Sequence, residues 1–541
     1  MRHRSLSFLE FLTIILLAFV PLLVTFPYRV NIFLSWEGAY RMSQGQLPFR
    51  DFGVPLGGMY WVIPAIFFKI FGAQLISLVK AQVFINIIAG LSFRSILKSF
   101  STAPTIRFLS VLVFCISYSF FNFWPWYNHS VIVYELAALA FLLKYLCGPI
   151  HQKPALWIGL SGFFVYCSFM TKQDGGALAL MICIALLLFH AWYEKKWIDL
   201  ALFLAFFFGL LGITIVIFSS HGFGYWFNHG QPPHSSRVSV KEIINEFLIA
   251  SSWIKFYVFL IFILLAFAFR NPKDLLKNKP QSLFLLLTLG ILLEATIFQV
   301  TSYTPPDNNI FFHSFAIAYL LTLLSRITGS NFQSRKALAI GITGIMLWWS
   351  GTYWKYIQRI TGLLIPAQTE SASTTGENII NRNTYMISKA PADSSDDDDW
   401  AFSNLKSFRK IYMPRKTIDG MERLLNMDLV KNRKDLKVLN MSELTPLAAE
   451  MPFLLERNGE LPLWYHLGVG MFNHQAATFE TRIKNGYYDL IIFENIPSLN
   501  NFYPFRTRDT LKNYYRLADS FTAPRRGDTQ GQIEIYVKPS P

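Results

Sequence analysis

Apolar residues come in long blocks along the first two-thirds of the chain, broken by short polar stretches, whereas the last third alternates on a shorter period. A helix needs about 20 apolar residues to cross the hydrocarbon of a bilayer. Blocks of that kind stand near 8–26, 75–93, 106–123, 131–146, 154–170, 177–193, 198–219, 253–269, 282–301, 310–326 and 337–353, which predicts about eleven membrane-crossing helices. The first block follows Arg2 and Arg4 and has no small-residue cleavage site after it, so it reads as a retained anchor and not a signal peptide. The run 57–71 is shorter, opens on Gly57-Gly58 and carries Lys69, and is expected as an interfacial helix on the outer surface.

With that assignment the inner loops hold Arg2, Arg4, Arg94, Lys98, Arg107, Lys144, Lys153, Lys195, Lys196, Arg270, Lys273, Lys277, Lys279, Arg326, Arg335 and Lys336. The outer loops before the tail hold only Arg29, Arg41, Arg50, Lys69, Lys172, Arg237 and Lys241, and adding Lys80 and Lys255 from the outer ends of spans leaves the asymmetry in place. Basic residues gather on the cytoplasmic side of membrane proteins. The N-terminus is therefore expected inside and the tail outside.

The stretch 365–400 is rich in Ser, Thr, Asn and Asp and ends in Asp396-Asp397-Asp398-Asp399. Those acids lack the alternating spacing of a calcium loop, so a solvated linker is the simpler reading. After it, Thr417 is expected to cap an amphipathic helix carrying Ile418, Met421, Leu424 and Leu425. Strands are expected at 436–439, 489–493 and 532–537, with a helix at about 507–520. Strands alternating with helices suggest a small α/β unit. It carries neither a glycine-rich phosphate loop nor a nucleophile elbow.

Composition supports the membrane reading. Of 541 residues 52% are hydrophobic, 51 are Phe and only 15% are charged, against roughly a quarter charged in soluble proteins. The net charge of +15 is spread over loops, with no basic helix interleaved with aromatics, so no nucleic-acid partner is expected. Cys115, Cys147, Cys167 and Cys183 fall in or beside apolar runs without metal-ligand spacing and read as packing residues.

Polar residues gather at the outer loops. The first, about 27–74, contains Trp36-Glu37-Gly38 and Gly45-Gln46-Leu47-Pro48-Phe49-Arg50-Asp51-Phe52, with an arginine near each of the carboxylates Glu37 and Asp51. A carboxylate at a low-dielectric boundary has a raised proton affinity and suits a general base. Interfacial anchoring, with each acid and arginine satisfying one another, explains the same residues equally well. The second loop is aromatic and carries Asn128 and His129, suited to a sugar hydroxyl or a metal, although a lone loop histidine is more often solvated. Glu135 lies inside the next span and Glu294 inside a later one, where acids are costly and face a cavity or partner. Lys172-Gln173-Asp174-Gly175-Gly176 opens a helix and suits an anion, with a plain tight turn as the alternative. Arg237, His229 and His234 sit on a loop at about 220–252 that is long enough to cover a cavity.

The run from Trp36-Glu37-Gly38 through Gly45-Gln46-Leu47-Pro48-Phe49-Arg50-Asp51-Phe52 resembles bacterial membrane glycosyltransferases of the GT-C superfamily, a group that includes the protein O-mannosyltransferases and the lipid A aminoarabinose transferase. The Phe71-Gly72 step and the Lys172-Gln173 turn are similar too, and the resemblance spans about residues 1–350. It implies that Glu37 is the catalytic base and Asp51 the second acid, that Lys172 contacts a phosphate, and that 57–71 is a juxtamembrane helix. Two positions depart from the pattern: Trp36 stands where many members carry an acid, and the second loop has Asn128, His129 and Glu135 in place of its acidic motif.

The expectation is a polytopic α-helical membrane protein, GT-C-like, with a transmembrane module over 1–355, a linker over 356–405 and a periplasmic α/β domain over 406–541. Its place is the bacterial inner membrane. The resemblance implies transfer of a sugar from a polyprenyl-phosphate-linked donor to a glycan, lipid or protein acceptor on the outer face. Glu37 and Asp51 are the catalytic candidates; Arg50, Asn128, His129, Glu135, Lys172, Gln173 and Arg237 are the substrate-binding candidates. A divalent metal, Mg or Mn, stays open as cofactor. A transporter or flippase for lipid-linked sugars, or a non-catalytic assembly partner, are the rival readings.

Overall fold

A helix stands at every one of the apolar blocks. The computed structural model describes residues 3–24, 26–28, 32–54, 56–117, 120, 122–148, 153–221, 239–269, 271–302, 310–362, 400–451, 453–463, 472–496, 504–525 and 530–539. Contacts divide the chain into two units, Met1–Val24 with Gln82–Val216 and Arg237–Leu364, and Thr25–Ala81 with Ile217–Ser236 and Ile365–Pro541.

In the first unit the helices His3–Ala18, Leu75–Ser99 (from residue 82), Pro104–Cys115, Tyr127–Leu146, Pro154–Phe169, Gln173–Glu194, Trp197–Phe218, Ser252–Ala268, Lys279–Ser302, Ile310–Thr328 and Arg335–Trp348 fall on the predicted blocks. Among the described residues, seven helical segments are long and apolar enough to cross a bilayer. The pair Val240–Ala250 and Ser252–Ala268, bent by 76°, makes an eighth if it counts as one span. The blocks at 106–123, 154–170 and 337–353 form shorter helices, two of them opening on a proline at the first helical turn, where its missing N–H costs nothing. The protein is a polytopic α-helical membrane protein with a strand-containing C-terminal region.

Phenylalanine packs this unit: Phe93 stacks on Phe114 at 4.7 Å and meets Phe315 edge-on at 5.0 Å, and Phe100 stacks on Phe284 at 4.4 Å. Two basic residues expected in inner loops are inside helices instead. Arg94 and Arg107 are buried and reach opposite oxygens of the fully buried Glu10 at 2.6 and 2.7 Å. The helix Leu75–Ser99 runs past the end of its apolar block, which carries Arg94 inward, and a buried acid then needs both cations.

The second unit joins residues 25–81 to the tail. Its strands are β1 (Phe26–Pro27), β2 (Phe52–Gly53), β3 (Trp400–Phe402), β4 (Ile411–Pro414), β5 (Val438–Met441), β6 (Asn458–Pro462), β7 (Leu490–Asn495), β8 (Arg516–Thr522) and β9 (Gln532–Val537). Four of them form a sheet in the order β5-β7-β9-β8, with β5 and β7 parallel and the remaining pairs antiparallel. The helices Phe472–Lys484 and Phe505–Tyr514 bury Phe479, Ile483 and Leu511 against Leu439, Ile491, Phe493 and Tyr536 of that sheet.

The helix Arg415–Asn426 packs along β8, close enough that a Cβ on Gly420 would lie 2.0 Å from the Phe521 ring. It buries Ile418, Met421 and Leu424 as expected, but Thr417 is not its cap. That residue lies inside the first turn and donates its hydroxyl to the Thr522 carbonyl at 2.7 Å. The helix expected over 507–520 stops at Tyr514, and the following residues become β8, because pairing with β9 outweighs the local helical pattern.

Two short parallel ladders bind loop to tail across some four hundred positions. β1 pairs β4 with Phe26 opposite Ile411, and β2 pairs β6 with Phe52 opposite Asn458. Asn458 N donates to the Asp51 carbonyl at 2.8 Å, Leu463 N to that of Gly53 at 2.9 Å, and the Tyr28 hydroxyl to that of Glu443. Gly459 is required at the crossing, since a Cβ there would sit 2.2 Å from the Phe49 carbonyl oxygen. The run 57–71 forms a 3-10 turn, Met59–Trp61, and the helix Val62–Phe71. At about 1.5 Å per residue it is too short to cross the hydrocarbon.

Candidate functional site

The helix Ile32–Ser43 places Glu37 and Arg41 one turn apart on one face, the spacing at which an acid and a base meet. Arg41 Nε and Nη2 both reach Glu37 Oε1 at 2.9 Å, and the Glu37 side chain remains 14% exposed. Burial raises the Glu37 pKa above the ordinary glutamate value, although the Arg41 charge and its hydrogen bond pull the other way. Behind them Trp36 is fully buried and stacked on Tyr40 at 4.6 Å. Trp36 is therefore a packing residue under the site.

The helix ends at Ser43 and Gly45 takes φ 83°, a conformation that a side chain would strain. This turn brings Gln46–Asp51 back over the helix. Asp51 accepts from Leu47 N at 2.7 Å and from Arg50 Nη2 at 2.6 Å. Burial would raise its pKa, but Arg50, the Leu47 N–H and Arg457 together hold it below the usual aspartate range. Phe49 sits in the left-handed region at φ 69° with its ring buried. A bulky residue there stores about 1–3 kcal/mol of strain, which the surrounding packing must offset.

Glu37, Arg41 and Asp51 line a cleft of about 1000 Å³, open mouth included, whose far wall comes from the tail. Asn440, Ser442, Glu456 and Asn458 supply polar groups there, and Tyr40, Phe52 and Phe479 supply rings. Arg50, expected as a substrate contact, is exposed and paired with Asp51. A concave site with carboxylates, planar polar groups and aromatic faces suits a hydroxyl-rich ligand.

The remaining candidates lie in the membrane unit. Asn128 and His129 belong to the first turn of Tyr127–Leu146 and are buried, so His129 is not the solvated loop histidine that its sequence position suggests. Its Nδ1 lies 3.0 Å from Asn122 Nδ2. Glu135 and Glu294, each alone in an apolar helix, meet one another, and Asp174 is close enough to act on Glu294 electrostatically.

Lys172 pairs with Asp174 at 2.9 Å and lies over the Phe298 ring at 4.7 Å. Gln173 opens the helix Gln173–Glu194. The glycines after it have a packing reason: a Cβ on Gly176 would lie 2.1 Å from the Phe169 backbone, and Gly175 N already donates to Asp174 Oδ1 at 2.8 Å. Arg237, His229, His234 and Asp396–Asp399 lie outside the described residues.

Among the described residues no group of three or more His, Cys, Asp or Glu is placed to hold a metal ion. Sequence reasoning paired each loop acid with an arginine, but it missed Gln46 and the tail residues of the cleft. The first has no periodic signal, and the others come to Glu37 from some four hundred positions away, through long-range pairing that no local pattern marks.

No protein-family model matches the chain, and no curated protein matches it. Among solved structures it is similar to ArnT from Cupriavidus metallidurans bound to undecaprenyl phosphate, at 12% identity over 98% of this chain and 97% of that one, TM-score 0.48. It is also similar to the arabinofuranosyltransferase AftD from Mycobacteria, at 12% identity over 100% of this chain and 40% of that one, TM-score 0.48. A third likeness is to the Archaeoglobus fulgidus oligosaccharyltransferase in complex with Zn and sulfate, at 11% identity over 64% of this chain and 52% of that one, TM-score 0.37. All three are GT-C glycosyltransferases, the group that the first-loop residues resemble. At these scores no residue role follows from the likeness.

Proposed function

We propose that the protein is a membrane glycosyltransferase that moves a sugar from a polyprenyl-phosphate-linked donor to an acceptor hydroxyl in the Glu37 cleft. The observation that carries the reading is Glu37 itself: a half-buried carboxyl at a cleft wall, with raised proton affinity and one oxygen fixed by Arg41. Such a group takes a proton without being a strong permanent anion. In the step, the acceptor O–H gives its proton to Glu37 as its oxygen bonds to the anomeric carbon. The bond from that carbon to the phosphate oxygen breaks, and the phosphate leaves with the electron pair, inverting the centre. On its sequence motif alone, Lys172 is proposed as a phosphate contact for the donor. The outer face is the proposed side, where no nucleotide sugar is at hand and a lipid must carry the donor.

A divalent cation, Mg²⁺ or Mn²⁺, would have to take Glu37 from Arg41 and Asp51 from Arg50. The residues present do not fit that demand, and no step is routed through a metal.

A second reading has one observation in its favour. The meeting of Glu135 with Glu294 inside the membrane unit is what a proton-coupled transporter of lipid-linked sugars would use. Purified protein in liposomes, given radiolabelled polyprenyl-phosphate sugars, separates the two. An enzyme transfers label and releases free polyprenyl phosphate, and Glu37→Gln stops both while the protein stays folded. Transfer undiminished in Glu37→Gln would remove Glu37 from the mechanism, and movement of intact donor without release would favour the transporter.

A further inference from the structure

We propose that Gln46 and the main chain of Leu455–Glu456 form a relay that positions the Glu37 carboxyl through Arg41, making the tail part of the catalytic centre. The proposal rests on the reading of Glu37 as base, and it names what sets that base in place.

The contacts run in one chain. Arg41 spends Nε and Nη2 on Glu37 Oε1, both at 2.9 Å, and Nη1 on two further acceptors, Gln46 Oε1 and the Glu456 carbonyl, each at 3.1 Å. Gln46 is 1% exposed, and its Nε2 donates to the carbonyls of Leu455 and Glu456, both at 3.3 Å. The amide can face only one way: turned over, its NH₂ would point at a guanidinium and its oxygen at two carbonyls. The tail carbonyls therefore orient Gln46, Gln46 and Glu456 hold the guanidinium plane, and the guanidinium fixes one carboxylate oxygen, leaving the other for a substrate proton.

The far end of the relay is itself held. Asn458 N donates to the Asp51 carbonyl at 2.8 Å, and Phe52 sits opposite Asn458 in the ladder. The Glu456 carboxylate does not compete for Arg41, because Arg482 and the Tyr488 hydroxyl take it. The charged and titratable groups around Glu37 are then Arg41 and Tyr40 on its own helix, the Asp51–Arg50 pair on the returning turn, and Glu456 with Arg457 and Arg482 from the tail. Arg41 is the one cation among them that touches it. Whatever loosens Arg41 leaves a buried acid with less to stabilise its charge, which moves its titration upward. Gln46 is a positioning residue in this scheme, since it acts on Glu37 only through Arg41.

Carbodiimide with an amine nucleophile labels protonated carboxyls. Mass spectrometry of full-length protein in detergent then gives the pH midpoint for Glu37 without any need for turnover. Arg41→Lys, which cannot fork, is expected to move the midpoint up by about one pH unit, and Gln46→Met by about half of that. The acidic limb of the transfer rate should move with it in both. A midpoint that shifts in Arg41→Lys but not in Gln46→Met overturns the relay, leaving Arg41 sufficient alone; a midpoint unmoved in both overturns it outright. A midpoint that moves while the rate limb stays still keeps the relay and removes Glu37 as base, so the two readings fail separately. Should Gln46→Met not yield monodisperse protein, Gln46→Leu, which also lacks the amide acceptor and donor, reads the same quantity with the same sign.

Discussion

Gly38→Ala adds one methyl beside the proposed base and should be felt strongly. An ideal Cβ at Gly38 would lie 2.0, 2.3 and 2.5 Å from three ring atoms of Trp61. The indole has nowhere to go. Trp61 is fully buried, 4.5 Å from the Tyr60 ring and 5.9 Å from that of Phe52, and its Nε1 donates to the Leu34 carbonyl at 2.9 Å. Overpacking alone costs about 1–3 kcal/mol, and losing the buried indole hydrogen bond adds about 1 kcal/mol. The expected total is therefore about 2–4 kcal/mol. At roughly 2–4 °C per kcal/mol for a sizeable domain, melting should fall by at least about 4 °C. Tryptophan fluorescence during heating of detergent-purified protein reads this directly. Transfer should drop further than stability alone explains, because the displaced ring lies against the helix that carries Glu37. Gly209→Ala, whose added methyl would meet nothing within 4 Å, is the control and should melt with wild type. Equal melting of Gly38→Ala and Gly209→Ala would refute the claim that close packing under Glu37 demands a glycine.

Three further predictions follow from charges and from side. Arg525 lies buried between Glu494 Oε1 at 2.5 Å and Glu443 Oε1 at 2.6 Å, so Arg525→Met takes the shared guanidinium from two buried acids. It should cost about 3–5 kcal/mol, whereas Arg423→Met, at the exposed pair with Asp519, should cost under about 1 kcal/mol; comparable melting of the two variants would contradict this. Asp51 has a folded-state pKa below its ordinary value, so its stabilisation is full above about pH 4 and is lost as pH falls through the folded pKa. The melting difference between wild type and Asp51→Asn should accordingly be largest near neutrality and close on acidification, and a gap independent of pH would show that the ionised pair contributes nothing. Ser520→Cys, exposed in a tail without native cysteine, should react with a membrane-impermeant thiol reagent on intact spheroplasts; reaction only after lysis would place the tail inside.

Much of the membrane unit was legible in the chain because a run of apolar residues is a local property. Each of the eleven blocks became a helix, and strands appeared near 489–493 and at 532–537 where alternation predicted them. The pairing of Glu37 with Arg41 was legible as well, since one helical turn separates them. What neighbours on the chain do not contain was decided by tertiary structure. Residues 516–522 became strand because β9 offered them main-chain partners. Glu135 and Glu294, far apart in sequence, came to share one place, and Arg94 and Arg107, expected in loops, were buried in helices against Glu10. The far wall of the Glu37 cleft is the clearest case. Leu455 and Glu456 act there through carbonyl oxygens that every residue possesses, so no side chain marks them. Sequence records which side chains seek water or lipid, whereas the meeting of distant main-chain groups is settled only when the whole chain has packed.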